Sequence, residues 1–144
     1  MTNVLGLMVV IALIAGFLLS LRQAVRSARY EFHRAGAVRH YWARACQGRA
    51  WRRAFPQAHS DEIRNFLHII TASFGFRKRR GLYFSPDDEV LELYRQIYPR
   101  SDWPDQLELE TFVELIEHEY KVDVHPIWRE DITFGEVFRA ARAA

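Results

Sequence analysis

The sequence has a single cysteine, Cys46, a lone thiol that suits a reducing compartment. It has no glycine-rich phosphate loop, no nucleophile elbow and no paired-cysteine motif, so the usual signatures of nucleotide binding, serine hydrolysis and structural zinc are missing. No apolar–polar alternation of useful length is present, which argues against a β-sheet. Charge is also missing where it is otherwise common: Met1 to Leu21 contains no ionisable side chain, and Arg22 to Arg53 contains no lysine.

The charge-free opening is filled by Leu, Val, Ile, Met, Phe and Ala, interrupted by Thr2, Asn3, Gly6, Gly16 and Ser20. Twenty-one residues of helix span roughly 31 Å, about the thickness of a bilayer's hydrocarbon core. A cleaved signal peptide needs basic residues before the apolar run and small residues after it. Here Thr2 and Asn3 precede the run, and Arg22 and Arg26 follow it. The expectation is one uncleaved transmembrane helix over residues 1–21. Basic residues stay cytoplasmic, so the N-terminus is expected outside and the rest of the chain inside, as a single-pass protein of the inner (cytoplasmic) membrane.

Apolar residues make up 49% of the chain and aromatics 14%, which excludes wholesale disorder for the remainder. The net charge of +2 conceals a division. Arg22 to Arg53 holds nine arginines against Glu31 alone, a net of +8, whereas residues 81–136 hold fifteen acids against Arg95, Arg100, Lys121 and Arg129, a net of −11. A basic collar of residues 22–56, ending in a linker around Phe55-Pro56, is therefore expected between the anchor and an acidic domain of residues 57–144. Arg22, Arg26, Arg29 and His33 share one face of a helix, and Val25, Ala28, Phe32 and Ala35 another. Beside a bilayer, Arg22, Arg26 and Arg29 are the candidate contacts to anionic lipid. Arginines interleaved with Tyr41, Trp42, Trp51 and Phe55 also suit single-stranded nucleic acid, but the acidic domain would repel phosphate.

Helical periodicity runs through the acidic domain. Ile63, Phe66, Leu67, Ile70 and Phe74 recur at helix spacing after Ser60, a candidate N-cap, and Gly75 marks the end. Ser85-Pro86-Asp87-Asp88-Glu89 reads as a helix start, with Val90, Leu93, Tyr94 and Ile97 continuing to Pro99. Leu109, Phe112, Val113, Ile116 and Tyr120 form a buried stripe, with Glu108, Glu110, Glu114, Glu117 and Glu119 on its flanks. Thr133 and Glu136 have capping-box spacing ahead of a last helix with Phe134, Val137 and Phe138 inward. The expected fold class is all-α: the transmembrane helix plus a small bundle of about four helices.

The stretch DQLELETFVELIEHEYKVDV resembles the second helix of acyl carrier proteins and its sequel. Asp105 and Leu107 match the first and third residues of that family's Asp-Ser-Leu motif. Glu117 and Tyr120 match the helix end, while Val122, Val124 and Asp131-Ile132-Thr133-Phe134 look like the following loop and final-helix start. The resemblance covers about forty residues. It implies an acyl-carrier-like bundle that presents an acidic helix to a protein partner with a basic surface, through Glu108, Glu110, Glu114 and Glu117. Gln106 stands where the family's serine carries its phosphopantetheine arm. An amide cannot take that phosphodiester, so no cofactor is expected. Ser101 is the nearest serine and lies outside the motif.

No enzymatic site is expected. Glu114 with His118, and Glu117 with Lys121, lie one helical turn apart, but a metal needs a third and fourth ligand, and the sequence leaves the position of His125 open. His68 reads as a structural histidine. Two further readings stay open: a lipid-binding collar inhibited by the acidic domain folding back on it, and a true carrier that uses Ser101.

Overall fold

The computed structural model describes residues 38–98 and 106–144, with Ser20 and Gly36. The chain divides into two compact units, Met1–Gly36 and Ala37–Ala144. The expected transmembrane run apart from Ser20, together with Arg22, Arg26, Arg29, Ser101 and the motif residue Asp105, lies outside the described residues. Among the described residues no helix is long and apolar enough to cross a membrane.

The fold is all-α. Six α-helices are described in the second unit: α1 Arg39–Ala43, α2 Gly48–Ala54, α3 Ser60–Ser73, α4 Val90–Ile97, α5 Leu107–Tyr120 and α6 Phe134–Ala143. Short 3-10 segments follow α3, at Lys78–Tyr83, and α5, at His125–Ile127. The long helix α3 packs against α5 and against the first 3-10 segment, and α5 packs against α6.

Apolar periodicity explains these contacts. Ile63, Phe66, Leu67 and Ile70 of α3 are buried, as are Leu109, Phe112 and Ile116 of α5 and Phe134, Val137 and Phe138 of α6. Val113 and Tyr120, at the margins of the α5 stripe, are half-buried. The helix ends follow local chemistry. Gly75 adopts φ 62°, a left-handed turn that ends α3 without the Cβ clash other residues meet. Ser60 is the first residue of α3 rather than its cap. His59 takes the cap position, and its N–H donates to Glu62 Oε2 at 3.3 Å. At α6, Glu136 N–H donates to Thr133 Oγ1 at 3.2 Å, and Thr133 N–H donates to Glu136 Oε2 at 3.0 Å, which is the reciprocal capping box expected from the spacing.

The segment after Ser85 differs from the expectation. Helix α4 begins at Val90, and Ser85 does not cap it. The Ser85 hydroxyl accepts from Asp87 N–H at 3.3 Å, and the Asp88 carboxylate accepts from Ser85 N–H at 2.6 Å, which closes a turn instead. The backbone beyond that turn is held by the approach to α6. Val90 N–H donates to Ile132 O at 3.0 Å, Phe134 N–H to Asp88 O at 2.9 Å and Gly135 N–H to Pro86 O at 2.8 Å, around an isolated antiparallel bridge between Glu89 and Thr133. These bonds require extended backbone at Glu89, so helix cannot start before Val90. Gly135 permits the approach: a Cβ there would stand 2.8 Å from Pro86 O.

The compact unit also reaches back through the stretch that charge alone assigns to a juxtamembrane collar. Val38, Tyr41, Trp51 and Phe55 are core residues. Trp51 is fully buried, its ring 5.7 Å from Phe55, 5.7 Å from Phe66 and 5.6 Å from Phe138, and its Nε1–H donates to Phe84 O at 2.7 Å. The physical reason is aromatic area. Rings of this size gain by leaving water, while the flanking Arg49, Arg52 and Arg53 stay exposed on the outer side of α2 and keep their hydration.

Candidate functional site

Helix α5 carries the four glutamates expected to meet a partner. At 100° per residue its buried stripe, Leu109, Phe112 and Ile116, leaves an opposite face made of Leu107, Glu110, Thr111, Glu114 and His118, with Leu115 on its flank. Glu110 and Glu114 are exposed there. So are two large apolar side chains, Leu107 at 58% and Leu115 at 36%. An exposed leucine alone means little; Leu107 set among acids, with Leu115 at the margin, makes a mixed apolar and anionic surface.

The other two glutamates are turned to structural contacts. Glu108 is half-buried and accepts a hydrogen bond from the Tyr98 hydroxyl at the end of α4. Glu117 is half-buried and accepts from Val124 N–H at 3.2 Å. Gln106 is exposed in the N-cap position immediately before α5. Near the other end of the helix, burial pushes the Tyr120 phenol up to about 12, and the charges of Glu119 and Glu62 add to the effect. His68, read as a structural histidine, is exposed on α3.

A second acidic surface lies between α1 and α4. A cleft of about 340 Å3 is lined by His40, Tyr41, Arg44, Asp87, Asp88, Glu89, Glu92 and Gln96. Arg44 binds both carboxylate oxygens of Asp88 through its two terminal nitrogens and lies over the Tyr41 ring at 4.7 Å. That bidentate pair neutralises Asp88, and Asp87, Glu89 and Glu92 leave the cleft anionic. Burial pushes the Tyr41 phenol well above its ordinary range, with Asp88 adding and Arg44 opposing. Gln96 donates to Glu92 Oε1 at 2.7 Å.

A third group surrounds the Glu136 carboxylate. It is held down at about 2, first by the hydrogen bond from Arg129 and then by the Thr133 N–H. Arg129 also pairs with Asp131 at 2.8 Å, so these charges fasten the start of α6 and are not offered to a partner.

The arginine–acid pairing of Arg44 and Asp88 was not legible in the sequence, because residues 44 apart carry no spacing signal. Glu114 and His118, set aside for want of further ligands, share the outward face of α5; the metal-type donors that converge among the described residues are Glu117, Asp123 and His125. No family model, curated protein or solved structure matches this chain.

Proposed function

We propose that this protein is a non-catalytic, membrane-tethered interaction module whose helix α5 docks on a basic surface of a partner protein. The observation that carries the reading is the outward face of α5, where Leu107 stands exposed beside Glu110 and Glu114, with Leu115 exposed on the flank. Acids of this kind steer a positively patterned partner and fix its orientation, and the leucines supply apolar area at the centre of contact. The tether is residues 1–21, supported by their lack of charge and by the arginines that follow, with the N-terminus outside and residues 22–144 at the cytoplasmic face of the inner membrane.

The likeness of residues 105–134 to the carrier family supports a degenerate acyl-carrier-like bundle that kept a recognition helix and lost the attachment chemistry, since Gln106 holds the position before α5. Intact mass spectrometry of the native protein is expected to give the mass of the bare chain. An increment of phosphopantetheine size would return the protein to the working carriers, with Ser101 as the first candidate. For the docking face, membranes are solubilised and the protein is captured with its partners from wild type and from the Glu110→Lys/Glu114→Lys variant. A partner held by wild type, released by moderate salt and lost in the variant is expected. A set of associated proteins insensitive to both changes contradicts the reading.

One observation favours a second reading, in which the basic stretch binds anionic lipid and the acidic domain restrains it. Arg44 belongs to that stretch and is already bound to Asp88. Crosslinks from Arg22, Arg26 or Arg29 to the domain's acids that fade as salt rises, and that anionic vesicles displace, would favour this reading over the first.

A further inference from the structure

The end of α5 brings together residues that the docking surface does not use. Lys121 takes the left-handed conformation, φ 57°, and turns the chain back on the helix it has just left. Asp123 and His125 then return to the level of Glu117. One carboxylate oxygen of Glu117, one of Asp123 and an imidazole nitrogen of His125 all lie within 4.8 Å of one another. Both carboxylates already meet backbone N–H groups of the loop. Glu117 Oε1 accepts from Val124 N–H at 3.2 Å, and Asp123 Oδ1 accepts from His125 N–H at 2.9 Å, which leaves each carboxylate a second oxygen. Among the described residues no basic side chain forms an ion pair with Glu117 or Asp123.

We infer that Glu117, Asp123 and His125 form a binding site for a divalent transition-metal ion, with zinc as the chemically best-suited occupant. Two carboxylates and one neutral imidazole are a mixed oxygen–nitrogen donor set of the kind zinc takes with three protein ligands and water completing its shell. Donors about 2.1 Å from a tetrahedral ion lie about 3.4 Å from each other, so the set must contract by about 1.4 Å at most. Asp123 and His125 are exposed and turn about their own side-chain bonds to close that gap. The unpaired carboxylates repel each other, and the C-terminal end of α5 adds its negative dipole end; a cation relieves both. A calcium or magnesium ion fits less well, because imidazole is a poor ligand for either. Binding there would clamp the loop between α5 and α6 to the helix that carries the docking face.

The test uses untagged full-length protein in detergent, titrated calorimetrically with zinc and, separately, with cobalt(II), whose visible absorption reports its coordination. One ion per chain is expected at micromolar free zinc. His125→Ala and Asp123→Asn, both at exposed side chains, should each weaken uptake at least tenfold and remove the cobalt spectrum. Glu110→Lys/Glu114→Lys, His118→Ala and Cys46→Ser should leave uptake within twofold, which separates this site from the docking face and from the other available donors. No uptake at micromolar zinc, unchanged uptake in His125→Ala, or loss of uptake in Cys46→Ser would overturn the assignment.

Discussion

Replacing Trp51 by alanine tests whether residues 38–56 belong to the folded unit. The indole is fully buried against Phe55, Phe66 and Phe138, and its N–H serves the Phe84 carbonyl. Truncating a buried Trp costs about 3–5 kcal/mol, and an orphaned buried carbonyl adds about 1–3 kcal/mol unless water reaches it. A loss of about 4 kcal/mol is thus a lower working figure, against a typical domain stability of about 5–15 kcal/mol. With a urea slope of about 2 kcal/mol per molar, the unfolding midpoint should fall by about 2 M. Trp51→Phe keeps a ring and removes the donor, so its midpoint should fall by about half as much. Urea titrations followed by far-ultraviolet circular dichroism provide the comparison, with Arg49→Ala and Arg52→Ala as exposed neighbours expected within about 0.5 kcal/mol of wild type. If Trp51→Ala behaves like those arginine variants, α2 is an appendage and the collar is a separate segment after all.

Gly135→Ala should lower stability by about 1–3 kcal/mol in the same titration, because the added Cβ meets the Pro86 carbonyl rather than a side chain that can move away. Glu136→Gln should cost about 1 kcal/mol at neutral pH through the weakened cap. Its carboxyl is depressed in the folded state, so the contribution is whole above the ordinary carboxylate range and lost as pH falls toward about 2; the wild-type and variant stability curves should converge over that acid window. Changing Arg22, Arg26 and Arg29 together to alanine should weaken the association of residues 22–144 with anionic vesicles about a hundredfold at low salt, at about 1 kcal/mol per arginine. Sedimentation with vesicles of anionic and of zwitterionic lipid measures it, and equal binding to both would refute the lipid contact.

The helices were legible where their sequence carries a period. The stripes of α3, α5 and α6 follow directly from Ile63 to Ile70, Leu109 to Ile116 and Phe134 to Phe138, because one helix face sets each pattern locally. Long-range pairing leaves no such trace. Ser85 looked like a helix cap, and only the chain segment at Ile132 to Gly135, some forty-five residues away, holds Glu89 extended and moves the start of α4 to Val90. The collar misled in another way. Its arginines are conspicuous in a charge count, whereas Tyr41, Trp51 and Phe55 decide where it packs. The acidic helix was legible as a set of four glutamates. Its division into two exposed acids, Glu110 and Glu114, and two committed to contacts, Glu108 and Glu117, required the positions of Tyr98 and Val124. The convergence of Glu117 with Asp123 and His125 depends on the left-handed turn at Lys121, a backbone choice that no residue pattern announced.

The most direct measurement of the docking face places a photo-crosslinking amino acid at Leu107 in the full-length protein in its native membrane, with Asn65 on the exposed side of α3 as the control position. A discrete crosslinked species from Leu107, missing from Asn65 and abolished by adding Glu110→Lys/Glu114→Lys, is the predicted result. The same products from both positions, or none from Leu107 while the protein remains folded, would contradict it.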